Sequence, residues 1–193
     1  MTKQFMYHYT NPEGWDGIVN GRRGYLVSHP ITNKWVESET VKGWMIPSRR
    51  FLPLGIESSL VPFEATSGAI FGLPEQRPFS WLNYSDPGCS NIFDYLLSSC
   101  KRMADKLVLL KINLLESDCP FVVDYVHTRK MAKDLTEIKN VKERRKRLAE
   151  GCRDYWNSRV ELNKYQNNFI LPEIVTFSAI PLERVKFCGE LSL

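Results

Sequence analysis

Two side chains near opposite ends of the chain are the strongest candidates for chemistry. His8 lies in a strand-like segment, Tyr7-His8-Tyr9-Thr10, and Glu173 opens the apolar segment Pro172-Glu173-Ile174-Val175-Thr176-Phe177. An imidazole offers a directional donor and acceptor to sugar hydroxyls, and a fixed carboxylate stabilises positive charge that develops beside it. A lone strand histidine is also a common structural residue, and an acid at a strand end can simply face solvent. The pair predicts one cleft that is built from both ends of the sequence.

The residues that flank both candidates extend the pattern. After Thr10 the chain continues through Gly14, Ile18, Gly21, Gly24 and Ser28, and after Phe177 it continues through Ile180-Pro181 and Arg184-Val185. In order and spacing, the two segments resemble the NAD sites of ADP-ribosyltransferases of the His-Tyr class, which include the DarT-type DNA-modifying toxins and other bacterial toxin domains. The resemblance covers residues 5–28 and 170–187 and is looser in the middle of the chain.

The resemblance implies an enzyme that uses NAD as a substrate. It implies that His8 hydrogen-bonds the ribose next to nicotinamide and that Thr10 holds the amide region, with Tyr9 and Gly24 in the same cofactor-binding segment. Glu173 is then the catalytic carboxylate. Cleavage of nicotinamide from NAD builds positive charge on the ribose, and a carboxylate that holds the 2′-hydroxyl stabilises this charge. The same group can help to deprotonate the incoming nucleophile.

The same resemblance implies two further parts of the NAD site, and for each of them a purely structural role is the alternative. Arg49 and Arg50 lie in a region from which DarT-like enzymes supply an arginine to NAD or to catalysis. A guanidinium fork suits a pyrophosphate, although a surface arginine pair is the alternative. The segment from Ala69 to Trp81 would form the second wall of the cleft, where Phe71 or Trp81 could stack on nicotinamide or pack in the core.

A segment rich in aromatic and amide side chains precedes Glu173 and is predicted to be a loop that faces the second substrate. It includes Tyr155, Trp156 and Asn168, which could stack on and read an unpaired base or could be ordinary loop packing. Residue 171 is leucine, so the Glu/Gln-x-Glu pair of arginine-modifying relatives is absent. This departure argues against an arginine acceptor and leaves nucleobases, other side chains or a phosphate as acceptors.

Positive charge is concentrated in one window. Residues 129–147 contain nine basic and three acidic side chains, so the window carries +6 while the whole chain carries +4. Such a cluster attracts phosphate backbones, and it can equally be the solvated face of a helix. On the first interpretation, Arg144, Arg145 and Arg147 are the candidate contacts to nucleic acid.

The composition is that of a globular protein. The 193 residues are 43% apolar and 25% charged, which predicts a single domain over residues 1–193 with a real core. No apolar run approaches the roughly 20 residues that span a bilayer, and the first residues do not form a signal peptide, so we expect no membrane partner. The five cysteines lack CxxC spacing and do not pair with the three histidines at zinc-binding intervals, which favours a reducing cytoplasm and no metal.

Short strands and helices that do not alternate regularly predict an α+β fold. No GxGxxG or GxxxxGK[ST] is present, so NAD would not lie in a Rossmann site. The resemblance implies a split, twisted β-sheet with flanking helices and an NAD cleft between its halves. Strands are predicted at 5–9, 25–27, 67–73, 107–112, 121–123, 173–177 and 184–188. Helices are predicted at 92–103 and 128–150, the second ended by Gly151.

Several functions fit these features. We favour transfer of ADP-ribose from NAD to a base of RNA or single-stranded DNA, by a toxin of a toxin–antitoxin or phage-defence system, with an antitoxin protein as a further partner. One alternative is an ADP-ribosyltransferase effector that modifies a protein. Another is a nucleic-acid-binding module with an inactive NAD cleft. A relative of the RNA 2′-phosphotransferases is a fourth, although their several arginines and basic companion domain are not clearly present.

Overall fold

The computed structural model describes residues 4–20, 24–27, 35–38, 44–45, 69–85, 90–101 and 104–192. The described residues contain eleven strands and five helices, together with single 3-10 turns at Glu116–Asp118, Leu162–Lys164 and Leu182–Arg184. In chain order the elements are β1 (Gln4–Thr10), α1 (Pro12–Asn20), β2 (Gly24–Val27), β3 (Trp35–Ser38), β4 (Trp44–Met45), β5 (Ile70–Gly72), α2 (Phe79–Asn83), α3 (Ile92–Lys101), β6 (Lys106–Leu114), β7 (Phe121–Asp124), α4 (Val126–Glu137), α5 (Val141–Asn157), β8 (Val160–Glu161), β9 (Pro172–Thr176), β10 (Ile180–Pro181) and β11 (Val185–Ser192).

The first large sheet has three antiparallel strands in the order β1-β6-β11. β6 is the central strand, as its apolar run predicts, and alternate residues of β6 are buried from Val108 to Leu114. One face of this sheet therefore packs on the core. In the register of β1 and β6, His8 lies opposite Leu110.

The second large sheet is also antiparallel, with the order β5-β9-β7-β8. Its strand β9 carries Glu173 and lies between β5 and β7. One face of this sheet meets the first sheet across a core that includes Met6, Ile112 and Ile174. The opposite face is covered by the C-terminal half of α5 in a second cluster. The described residues therefore form an α+β fold with two large antiparallel sheets and two two-stranded sheets, β10-β4 and β2-β3, and the α+β class is the one that the sequence predicts.

Among the described residues, one backbone bridge joins the two large sheets. The Tyr7 amide donates to the Leu73 carbonyl at 2.8 Å, and the Leu73 amide donates to the Tyr7 carbonyl at 2.7 Å. A Cβ on the adjacent Gly72 would lie 2.9 Å from the Tyr7 carbonyl oxygen and 2.8 Å from the Met6 sulfur. Only glycine allows the strands to approach so closely here. We call the boundary between β1 and β5, where this bridge joins the two strands, the seam.

The prediction of one helix over residues 128–150, ended by Gly151, is wrong. The chain forms an antiparallel pair, α4 and α5, and Asn140 begins α5 by accepting the Lys142 amide at 2.9 Å. Gly151 lies inside α5, where a Cβ would come within 2.6 Å of the Met131 side chain of α4. Close packing between the helices, and not a helix end, explains this glycine.

Other predicted elements hold with small shifts. The helix predicted from residue 92 is α3, and the Asn91 side chain caps it by accepting the Asp94 amide at 2.7 Å. The segment after Pro78, for which the sequence predicted neither a strand nor a helix, contains the short helix α2. Within the described ranges, none of the helices combines the length and the apolar character needed to cross a membrane.

Candidate active site

Glu173 is the second residue of β9, and its backbone pairs with Val123 of β7. Side chains alternate along a strand, so Glu173 points to the same face as Val175, the face that α5 covers. There the Tyr155 hydroxyl donates a hydrogen bond of 2.5 Å to Oε2 of Glu173. Glu173 is half-buried as a residue, and its carboxylate is held by a defined donor.

Tyr155 lies in the last turn of α5 and is 8% exposed. Burial raises the pKa of its hydroxyl well above the usual range, and the neighbouring carboxylate of Glu173 raises that pKa further. The hydroxyl therefore keeps its proton at neutral pH and acts as a donor. The ring meets that of Trp156 edge-on, with the ring centroids 4.9 Å apart.

An aromatic pair borders the other side of Glu173. Tyr125 stacks on Trp81 with ring centroids 5.2 Å apart, and the Trp81 indole donates to the Pro172 carbonyl at 3.1 Å. Burial and the Glu173 carboxylate both raise the pKa of the Tyr125 hydroxyl, while Arg129 lowers it. Trp81 is 1% exposed, so its ring supports the start of β9 and packs in the core.

Asp124 holds the chain that leads into β9. This residue is 7% exposed, and its carboxylate accepts the amides of Ile170 at 3.1 Å and Leu171 at 2.9 Å. It also accepts the Val126 amide at the start of α4, at 3.1 Å. Sequence reasoning missed this residue, although an aspartate between an apolar run and a helix-like segment is a known cap signal.

His8 lies where pairing between the two sheets stops. Its Nδ1 is 2.6 Å from the carbonyl oxygen of Phe71. A carbonyl only accepts, so Nδ1 carries a proton, and in the neutral ring Nε2 is the acceptor nitrogen. A carbonyl of a strand lies in the plane of its sheet. The ring of His8 therefore reaches towards β5 along the seam.

The backbones of the two candidates are close. Phe71 pairs with Val175, so Leu73 of the bridge stands beside Glu173 on the same face, and Tyr7 stands beside Leu73. Two strand spacings, about 10 Å, separate the backbones of Tyr7 and Glu173. Strict alternation directs His8 and Glu173 to different faces of a continuous sheet. In the described residues, however, β1 and β5 share only the one bridge, so regular pairing between these two strands does not continue past Tyr7 and Leu73.

The other predicted cofactor residues have varied surroundings. The Tyr9 hydroxyl donates to the Gln76 carbonyl at 2.6 Å, and burial raises the pKa of that hydroxyl to about 12. Thr10 packs against α1, where a Cβ on Gly14 would lie 2.4 Å from the Thr10 hydroxyl oxygen. Phe71 is 8% exposed and packs on Trp156, as expected for a core residue. Gly24 begins β2. Arg49 and Arg50 lie outside the described residues.

The prediction of a substrate-facing loop is wrong for Tyr155 and Trp156. Tyr155 and Trp156 lie in α5, and Trp156 is 2% exposed, because helix α5 continues through Gly151 and carries both residues onto the second sheet. Only Asn168 of the three lies in the connection before β9, where it is exposed. Stacking of a base on Trp156 would therefore require the helix to move.

The predicted basic contacts divide into two kinds. Arg144 and Arg145 are exposed on α5. Arg147 is less exposed, and its Nε lies 2.6 Å from the Asp134 carboxylate of α4. This ion pair ties the two helices together, so Arg147 has a structural partner that the sequence pattern did not indicate.

A separate cleft of about 570 Å³ opens at the far end of β9. Phe121, Trp156 and Phe177 form its aromatic side, and Arg159, Glu116 and Glu161 are among its polar lining residues. Phe177 lies four residues from Glu173, about 13 Å along an extended chain, so this cleft is distinct from the seam. Among the described residues, no group of three histidine, cysteine or acidic side chains could hold a metal ion.

No family model, no curated protein and no solved structure matches this chain in the comparisons.

Proposed function

We propose that this chain is an NAD-dependent ADP-ribosyltransferase whose catalytic carboxylate is Glu173. The observation that carries the proposal is a half-buried carboxylate, oriented by a tyrosine hydroxyl, beside an interruption between two sheets at which a histidine is also placed. A dinucleotide that lies along the seam would contact both side chains. The resemblance of both segments to the His-Tyr class supplies the choice of NAD as the substrate.

The reaction has a simple balance. The bond between ribose C1′ and the nicotinamide nitrogen breaks, and nicotinamide leaves with the bonding electron pair, which neutralises its ring nitrogen. A nucleophilic atom of the acceptor then bonds to C1′ and gives up a proton. Glu173 stabilises the positive charge on the ribose while it develops and accepts a hydrogen bond from the 2′-hydroxyl.

In this proposal the two sides of the seam have different tasks. His8 orients the ribose, because its ring is held by the Phe71 carbonyl and cannot rotate without losing that hydrogen bond. Glu173 acts on the reacting carbon. Arg49 or Arg50 would contact the pyrophosphate, as the resemblance implies.

The proposed acceptor is a base of RNA or single-stranded DNA. Support comes from the exposed basic side chains of α4, α5 and their connection, which together with Arg144 and Arg145 can attract a phosphate backbone: Lys130, Lys133, Lys139, Lys142 and Lys146. The absence of an acid at position 171 also disfavours an arginine acceptor. A toxin or phage-defence role, with an antitoxin as partner, is proposed on the resemblance alone.

The central experiment is the substitution Glu173→Gln in the full chain. We expect a loss of nicotinamide release from NAD of about 10³-fold, since the amide keeps the shape and loses the charge. The unfolding transition should stay within a few degrees of that of the unchanged protein. Equal rates in the two proteins would remove Glu173 from the reaction and end the proposal.

The acceptor is tested separately with labelled NAD and three pools: single-stranded DNA, RNA and cell protein. We expect label on a nucleic acid pool, and label on protein alone would replace the nucleic-acid acceptor with a protein target. Binding of the preferred nucleic acid should weaken, with a shallower salt dependence, in the double variant Arg144→Glu/Arg145→Glu. The matched control Lys164→Glu/Lys186→Glu reverses two exposed charges elsewhere. Equal loss in both variants would show that only net charge matters.

A further inference from the structure

The hydroxyl of Tyr155 is placed to control the carboxylate of Glu173. The 2.5 Å separation of the two oxygens is within the range of hydrogen bonds between a hydroxyl and an ionised carboxylate. The tyrosine comes from α5 and the glutamate from β9, 18 positions apart, so the contact is tertiary. It is also a buried donor aimed at the one group to which the proposed function assigns the chemistry.

The C-terminal turn of α5 is anchored independently of Glu173. Trp156 is buried against Phe71 and Phe121, with ring centroids 6.4 Å and 6.2 Å away. The Ser158 hydroxyl donates to the Tyr155 carbonyl at 2.6 Å and accepts the Asp124 amide at 2.9 Å. The backbone of Tyr155 is therefore pinned to β7, the strand beside β9. A side chain with such a fixed base can restrict the orientation of its partner.

We propose that Tyr155 is a positioning residue, whose hydroxyl holds the Glu173 carboxylate in one orientation towards the seam and stabilises its ionised form. The proposal rests on the proposed function of Glu173. A fixed carboxylate meets the developing charge without first reorganising. A hydrogen bond donated to a carboxylate also favours the charged form, so it keeps Glu173 ionised to lower pH.

Tyr125 also lies near Glu173, at the corner between β7 and α4, and the Glu173 carboxylate raises the pKa of both the Tyr125 and the Tyr155 hydroxyls. Arg129 of α4 interacts with Tyr125, and Cys152 of α5 interacts with Tyr155, so these two side chains belong to the surroundings of the two tyrosines. The Tyr155 hydroxyl donates a hydrogen bond directly to the Glu173 carboxylate.

The substitution Tyr155→Phe tests this role in the full chain. We expect kcat for nicotinamide release to fall about 10- to 100-fold, as for other groups that orient a reacting ligand, while KM for NAD changes less than about twofold. The acid limb of the pH profile of kcat/KM should move to higher pH. The control Tyr165→Phe removes a hydroxyl that accepts a hydrogen bond from the Phe169 amide. It should leave kcat and the acid limb of the pH profile unchanged. An unchanged kcat and acid limb in Tyr155→Phe would overturn the proposal.

A second measurement does not depend on activity. Carbon-13 NMR titration of the Glu173 carboxyl, assigned by its loss in Glu173→Gln, should show a higher pKa in Tyr155→Phe than in the unchanged protein. An equal pKa in a folded variant would show that the hydroxyl does not stabilise the anion. If the titration moves while Glu173→Gln retains full activity, the contact is real and the proposed function is wrong. If Tyr155→Phe does not fold, the same titration in Tyr155→Met, which also lacks the hydroxyl and keeps an apolar side chain, should show a higher pKa of Glu173, and an equal pKa would overturn the proposal.

Discussion

The two halves of α5 share one helical backbone and have opposite surroundings. From Val141 to Lys146 every side chain is exposed, and most are charged. In the last two turns, Tyr155 and Trp156 are buried on the second sheet, and Tyr155 reaches Glu173. The first half is therefore a charged surface that could attract a partner by electrostatics alone. The second half is part of the candidate site.

This difference separates recruitment from chemistry. A charged surface attracts a polyanion without defining where it reacts, because electrostatic attraction is long-ranged and not directional. A short hydrogen bond to one carboxylate oxygen defines a geometry. Arg145 and Tyr155 are ten residues apart, about 15 Å along a helix. A nucleic acid strand that contacts the first and reacts beside the second would have to span that distance.

The largest expected effect is on the buried half, in Trp156→Ala. Removal of a buried indole should lower the free energy of unfolding by about 3–5 kcal/mol. The matched substitution Val141→Ala, at a side chain that is 64% exposed in the same helix, should change it by less than about 0.5 kcal/mol. Urea denaturation measures both. Similar losses in the two variants would mean that the two halves of α5 do not differ as described.

A smaller loss is expected for Asp124→Ala, which removes the acceptor of three backbone amides before β9 and at the start of α4. Buried amides without a partner are costly, so we expect a loss of about 3 kcal/mol and a fall in nicotinamide release as Glu173 shifts. Asp124→Asn keeps one acceptor oxygen and should lose less. Thermal unfolding and activity assays measure the two effects, and full stability in Asp124→Ala would contradict this role.

The ion pair between Arg147 and Asp134 should matter much less. Both side chains are partly exposed, so Arg147→Met should cost no more than about 1 kcal/mol. Raising the salt concentration should reduce the difference between the two proteins. Denaturation at low and high salt would check this. A loss of several kcal/mol in the free energy of unfolding would mean that the half of α5 that stabilises the fold begins nearer to its N-terminus and includes Arg147.

The smallest effect concerns Cys152, in the buried half of α5. Burial raises the pKa of its thiol from 9.0 to about 11, so folding disfavours the thiolate. Its contribution to stability is present below pH 9 and is lost as pH rises through about 11. At pH 8 a thiol reagent should modify exposed Cys188 much faster than Cys152, because the thiolate is the reactive form. Site-resolved mass spectrometry measures the two rates, and equal rates would show that the buried end opens readily.

Local sequence patterns were good guides to the elements and poor guides to their contacts. The apolar run of β6 predicted a strand, and the sequence also predicted the start of helix α3 at Ile92. Gly151 misled because a glycine inside a helix and a glycine that ends one look alike in sequence. The difference depends on Met131, which lies 20 positions earlier and packs against it.

The candidate site divides in the same way. Sequence singled out His8 and Glu173 by residue type and by the segments around them. Neither Asp124 nor the hydrogen bond from Tyr155 was predicted, since each acts on residues far along the chain. Tyr155 was assigned to a substrate-facing loop because the helix was expected to stop before it. A boundary error of a few residues therefore changed the interpretation of a side chain from substrate contact to support of Glu173.

The amino-acid sequence by itself determined seven of the eleven described strands, helix α3 and the concentration of positive charge, because alternation, capping and charge are properties of neighbouring residues. Tertiary structure alone decided that β1 and β5 meet at one bridge beside Gly72, and that the end of α5 lies over β9. Those contacts arise from the packing of two sheets and a helix around shared apolar clusters. Burial of apolar surface is not directional, so it does not specify from local sequence which side chains will meet. The partners of Glu173 are therefore set only when the whole fold is assembled.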